Sequence, residues 1–207
     1  IRRVYSSGTL SDVVERYNWS PGWTSAQFYS VLDSPSAFLI KESDGVEVIY
    51  RVDPDGSIGT LIQGGRWSPG WTQVEFYTFG EEVFSSFLKE SDGTINVHQL
   101  ASDGTFGDLI QELQWSEGYT ILEYYVVNDT MYAFFLKTSD GTVNIRRMNA
   151  NGTIGAQVQG GQISAGWTHA QFYQIDGVTY LLLLDESDGS TRIFIMEPDG
   201  SLGPVVN

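Results

Sequence analysis

A chain of 207 residues with 26 acidic and 11 basic side chains carries a net charge of −15 and repels phosphate backbones and anionic lipid, which argues against nucleic acid as a partner. Its longest compact apolar run, YLLLL at 180–184, is far short of the ~18 residues of a membrane helix, so no membrane insertion is expected. The absence of cysteine removes disulfides, thiolate metal sites and a thiol nucleophile, and fits either a cytoplasmic setting or secretion without disulfides. The chain starts at Ile1 rather than Met, which reads as a processed product or a fragment.

Residues 1–18 open with IRRVYSSGTLS, a strand, a Gly turn and the start of a second strand. A tryptophan-bearing loop, WSPGWT, follows at 19–24. Then come four predicted strands: TSAQFYSVL (24–32), the nearly continuous apolar SAFLIKE (36–42), VEVIYRV (46–52) and SIGTLIQ (57–63). Strands two and three are joined by SDG, and three and four by PDG or its equivalent ANG. The glycine of such turns takes the positive φ that a tight hairpin needs.

The same unit recurs every 48 residues. WSPGWTSAQFY (19–29) matches WSPGWTQVEFY (67–77), WSEGYTILEYY (115–125) and ISAGWTHAQFY (163–173). FLIKESDG (38–45) and IYRVDPDGSIG (49–59) recur at the same spacing, and residues 1–11 are a fifth copy of the latter. The chain is therefore a half repeat (1–18) and four repeats (19–66, 67–114, 115–162, 163–207) in a single all-β domain. Four-stranded antiparallel units at this period predict a β-propeller. The preferred closure reads residues 1–192 as four blades, each in the order three-four-one-two; a five-bladed ring lacking about one strand pair is the other.

Candidates for chemistry are few. His98 and His169 each stand in a column filled by unrelated residues elsewhere, which suits ordinary strand or loop side chains. DPDG (53–56) has the opening of a calcium loop without its downstream glutamate, so it is expected to be a hairpin turn, and no metal or cofactor is expected. Glu75 and Glu123 share a column with Gln27 and Gln171, and could serve as a paired acid and base if they met near the ring axis.

The columns kept across repeats point to binding. Trp23, Trp71, Tyr119 and Trp167 are always aromatic, and Tyr29, Tyr77, Tyr125 and Tyr173 never vary. Lys41, Lys89 and Lys137 keep a cation where Asp185 breaks the pattern, and Arg51 and Arg147 match Arg3. Gln27 and Tyr29, two apart on a strand, share a face. A flat ring with polar groups beside it can cover the C–H face of a sugar and hold its hydroxyls. The same rings could instead pack blade against blade.

With these residues the chain resembles the lectin-type β-propellers, of the tachylectin-2 kind in blade length and of the fungal fucose-lectin kind in the rhythm of IRRVYSSGTLSDVVERYNWSPGW. The second resemblance implies a sugar held by Arg3, Glu15 and Trp23, although Glu15 becomes Gln63, Gln111 and Gln159 in later repeats. The expectation is a non-catalytic, multivalent glycan-binding protein, not an enzyme, with self-association left open. A second reading is a protein-interaction scaffold that binds through the loops VLDSPS (31–36) and VVNDTM (126–131). A third is a glycosidase, which requires Glu75 and Glu123 to converge.

Overall fold

The computed structural model describes residues 2–4, 7–13 and 18–206, with side chains described for 7–13 and 18–206. Strands β1 (Arg2–Val4) and β2 (Leu10–Val13) form a two-stranded antiparallel sheet. The next sheet comprises β3 (Ser25–Val31), β4 (Ser34–Ile40), β5 (Val46–Val52) and β6 (Ile58–Arg66). Three more follow in the same chain order: β7 (Gln73–Phe79) to β8 (Glu82–Leu88), β9 (Thr94–Leu100) and β10 (Phe106–Gln114); β11 (Ile121–Val127) to β12 (Thr130–Leu136), β13 (Thr142–Met148) and β14 (Ile154–Gln162); β15 (His169–Ile175) to β16 (Val178–Leu184), β17 (Thr191–Met196) and β18 (Leu202–Val205). The propeller architecture of four repeated four-stranded blades is therefore present, and the described residues contain no helix.

The blades are cut differently from the preferred reading. Each sheet runs one-two-three-four, because short turns join the strands within a repeat whereas the tryptophan loop carries the chain to the next sheet. β1 and β2 stand apart as strands three and four of a further blade, with Gly8 at φ 79° in the turn column where Gly104 has 86° and Gly152 has 79°.

The second strand of each of the first three complete blades is buried on both faces, as in β4, where residues 36–40 are all buried, because it lies between neighbouring sheets; β16 in the last blade alternates between buried and half-buried residues. The segments expected as binding loops are instead tight turns. Leu32 and Asp33 (φ 47° and 62°) and Asn128 and Asp129 (φ 48° and 58°) close two-residue hairpins whose paired left-handed conformations match the strand twist, and the residues around them belong to strands.

Each hydrophobic cluster spans two blades, so the core lies between sheets rather than within one. The first strand of each blade is the inner one: β3 packs on β7, β7 on β11 and β11 on β15. Phe76 stacks on Tyr29 (4.1 Å between ring centroids), Tyr124 on Tyr77 (4.1 Å) and Phe172 on Tyr125 (4.0 Å). Offset aromatic pairs of this kind add about 0.5–1.5 kcal/mol each beyond their buried area. The glutamines of the Glu15 column tie the same junctions: Gln63, Gln111 and Gln159 accept from the backbone N–H of Phe106, Ile154 and Leu202 at 2.7–2.9 Å.

Candidate functional site

Four inner strands place Gln27, Glu75, Glu123 and Gln171 at one height around the blade axis. Period-two alternation puts each on the same face of its strand as the invariant Tyr two residues on. Gln27 Nε2 donates to Glu75 Oε1 at 3.3 Å, across adjacent blades. Burial pushes the Glu75 carboxyl up to about 8, and the neighbouring Glu123 charge adds to the rise. Burial also raises Glu123, to about 7. Both carboxyls remain partly open to solvent. Gln171 is exposed and turns its amide to the backbone oxygen of Phe172 at 3.3 Å.

Two residues beside this pair escaped the column comparison. Ser86 pairs directly with Glu75 across the β7–β8 ladder, and its hydroxyl bonds that of Tyr124. The Glu75 charge contributes to holding the Tyr124 phenol well above its ordinary value, although burial is the main cause. Elsewhere the Ser86 column holds Phe38, Phe134 and Leu182, and the Tyr124 column holds Phe28, Phe76 and Phe172. A bulky residue becomes small and hydroxylated at the same junction where a Phe gains a hydroxyl. That paired departure from the repeat was the available signal. The junction between the second and third complete blades therefore carries two carboxyls, a serine and a second tyrosine where the junctions on either side carry one carboxyl, one amide and a phenylalanine.

Most of the other singled-out residues have internal partners. Trp71, Tyr119 and Trp167 are buried at 4–6 % exposure, and Trp23 is half-buried. Lys41, Lys89 and Lys137 place Nζ over the rings of Trp23, Trp71 and Tyr119 at 4.5–4.9 Å and donate to Ser20, Ser68 and Ser116. Where Asp185 breaks the lysine column, Arg192 takes the cation's place over Trp167 at 5.3 Å. Tyr29, Tyr77 and Tyr125 are buried, and their hydroxyls donate to the carbonyls of Gly104, Gly152 and Gly200 in the following blade. Tyr173 is half-buried. Arg51 donates to the backbone oxygen of Asp103 at 2.7 Å, and Arg147 is exposed. Glu15 and the Arg3 side chain lie outside the described residues.

His98 is half-buried, its ring 4.9 Å from that of Trp67, and burial lowers its pKa. His169 pairs with Glu186 at the surface. In DPDG, Asp55 accepts from the Ser57 N–H and hydroxyl, closing the turn on itself. Among the described residues no group of three or more acidic or histidine side chains is placed to hold a metal ion, and no helix is long and apolar enough to cross a membrane.

No protein-family model and no curated protein matches the sequence. Solved structures match its fold. A candidate 6-phosphogluconolactonase of Bacteroides fragilis is 17 % identical with a TM-score of 0.66, over 100 % of this chain and 62 % of that one. An exo-β-1,3-galactanase of Phanerochaete chrysosporium, solved with β-1,3-galactotriose, is 12 % identical (TM-score 0.62; 100 % and 52 % covered). An endo-1,4-β-xylanase of Bacteroides thetaiotaomicron is 13 % identical (TM-score 0.55; 90 % and 76 % covered). The chain thus spans about 62 % of the length of the first of these. At such identities the likeness is one of fold.

Two expectations are corrected. The likeness to lectin propellers extends to the architecture and not to a lectin family, since the structures just named are described as enzymes. The reading as a non-catalytic lectin, and with it the statement that the chain is not an enzyme, is overturned by those neighbours. The physical reason agrees: most of the aromatic and cationic columns that suggested sugar platforms are spent on contacts within and between blades. On the inner strands Glu75 and Glu123 remain half-buried and partly open to solvent.

Proposed function

We propose that this chain hydrolyses glycosidic bonds, with Glu75 and Glu123 as its acid and base. The observation that carries the reading is the Glu75–Glu123 pair itself: two partly buried carboxyls on adjacent inner strands, both raised by burial, with the Glu123 charge adding to the rise at Glu75. Cleavage of an acetal needs one carboxyl protonated, to deliver a proton to the leaving oxygen, and one ionised, to stabilise the oxocarbenium-like state and bring in water. With Glu123 at about 7 and Glu75 at about 8, both forms coexist just above neutrality, Glu75 as the acid and Glu123 as the carboxylate. Gln27, donating to Glu75, orients that carboxyl, and Ser86, its partner across the β7–β8 ladder, bonds the Tyr124 hydroxyl. Two of the similar folds act on β-linked polysaccharides by their descriptions, which supports the choice of substrate class.

The test is hydrolysis of a panel of aryl glycosides and of β-1,3- and β-1,4-linked oligosaccharides. The expected result is turnover of at least one, falling by about 10²–10⁴-fold in Glu75→Gln and in Glu123→Gln. No turnover across the panel by folded protein, or turnover that survives both substitutions, would overturn the proposal.

A further inference from the structure

Between the third and fourth complete blades, where β11 runs down to its hairpin turn, lies a cavity of about 320 Å³. Tyr124, Tyr125, Val126, Phe172, Gln174 and Thr179 are among its lining residues. A smaller hollow of about 230 Å³ holds the equivalent place between the first and second complete blades, against Tyr29, Ser30, Phe76, Thr78 and Val83. Both lie between complete blades, so the hollow is a property of the repeat. The larger one has the size and the mostly aromatic and aliphatic walls of a small-molecule site. Tyr124 and Phe172 are half-buried there, and Val126 is 37 % exposed.

Its polar groups depart from the repeat in a matched way. Gln174 and Thr179 pair across the β15–β16 ladder, where the third blade pairs Val126 with Met131 and the second pairs Thr78 with Val83. Gln174 Nε2 donates to the Val126 carbonyl at 3.1 Å and to Thr179 Oγ1 at 3.0 Å, and the Thr179 hydroxyl donates to the same carbonyl at 2.7 Å. Both amide hydrogens of Gln174 are thus used inside the protein. That fixes the amide and leaves its Oε1 as the acceptor of the pair. A ligand hydroxyl is the group that matches it.

The cavity adjoins one of the two carboxyls. Glu123 shares its strand face with Tyr125, roughly 7 Å further along β11. Tyr125 stacks on Phe172 of the fourth blade at 4.0 Å, so Glu123 and the cavity belong to the same blade junction.

We infer, resting on the glycosidase reading above, that this cavity is the subsite for the sugar beside Glu123 in a β-linked chain, and that it takes a neutral sugar. The aromatic and aliphatic walls meet the C–H surface of a pyranose, and Gln174 Oε1 accepts from one of its hydroxyls. No charged side chain lines the cavity, so the carboxylate of a uronic acid would enter without a partner.

The probes are xylotriose, cellotriose, β-1,3-galactotriose and the trimer of β-1,4-linked glucuronic acid. They are titrated in physiological salt into the full chain carrying Glu75→Gln, so that no trimer is consumed. Expected is saturable binding of at least one neutral trimer and none of the glucuronate trimer. Gln174→Val combined with Thr179→Met copies the Val126–Met131 pair of the third blade. It should weaken binding by at least ~10-fold while near-UV circular dichroism stays that of the parent. Gln174→Trp, one change at an exposed position, should do the same by filling the cavity. With Glu75 restored, both variants should raise KM for the trimer by a similar factor, the mark of lost binding. Trimer binding that both variants leave intact overturns the inference, while hydrolysis that depends on Glu75 and Glu123 would still stand. No binding of any neutral trimer, or equal binding of the glucuronate trimer, overturns it as well. Binding that both variants abolish, with no hydrolysis by the unsubstituted chain, keeps the sugar site and removes the glycosidase reading.

Discussion

The Tyr77 hydroxyl donates to the Gly152 carbonyl at 2.7 Å, joining the inner strand of one blade to the outer turn of the next across 75 residues. Tyr29 and Tyr125 make the same bond to Gly104 and Gly200. Each tyrosine ring is buried in an interblade cluster, so the invariant Tyr column is a seam. Removing a hydroxyl there leaves a carbonyl without its donor in a water-poor place. Tyr77→Phe and Tyr125→Phe should each lower the unfolding free energy by about 1–2 kcal/mol in urea titrations. Tyr173→Phe should change it little, because among the described residues its hydroxyl has no such carbonyl.

Gly152 accepts that bond in a backbone conformation with φ 79°, and a Cβ there would lie 2.5 Å from the buried ring of Phe84. Gly56 has the same turn geometry, with open space around it. Gly56→Ala should cost about 1 kcal/mol, the penalty of a left-handed residue alone. Gly152→Ala adds a clash with a close-packed ring and should cost at least ~3 kcal/mol, with a correspondingly larger fall in melting temperature.

Glu47 is 1 % exposed in a column that holds the buried Ile95 and Val143 and, in the last blade, the exposed Thr191. Burial raises its pKa, and the 3.4 Å bond from Gln63 offsets this only in part. The native state therefore holds the proton more tightly than the unfolded chain does. Stability contributed by this residue falls as pH rises from the ordinary carboxylate range through the raised value. Glu47→Ile should stabilise the fold by about 1–3 kcal/mol at pH 7 and by less at pH 4, measured by denaturant unfolding at both values.

Hydrolysis, in the proposed scheme, should follow a bell-shaped pH profile. The rate rises through about 7 as Glu123 ionises and falls beyond about 8 as Glu75 loses its proton. Glu75→Gln should remove the descending limb along with most of the rate. A profile that peaks below pH 5 would show that neither carboxyl is held up by its surroundings during turnover.

Tyr124→Phe should leave the fold intact, because Phe occupies that column at Phe28, Phe76 and Phe172. It also deletes the hydroxyl that bonds Ser86 beside Glu75. The expected result is a displaced descending limb with little change in melting temperature. An unmoved profile would confine Tyr124 to a packing role.

The all-β class, the 48-residue blade and the positions of most strands were legible in the sequence, because period-two alternation and Gly-containing turns are local and were written four times over. Glu75 and Glu123 could be singled out as a shared column. Their proximity, and the burial that raises both, depend on how neighbouring inner strands approach, and no local pattern encodes that. The aromatic columns misled for the same reason. A ring that covers a sugar and a ring that covers the next blade have the same sequence, and Trp71, Tyr119 and Trp167 turn out to cover protein. The turns Leu32–Asp33 and Asn128–Asp129 passed for loops because they reach the left-handed conformation without glycine. The sequence by itself determined the repeating unit, since each blade is built from local pairing. Only the tertiary structure decided which carboxyls are buried and which rings are hidden, since those depend on contacts 48 and 75 residues apart.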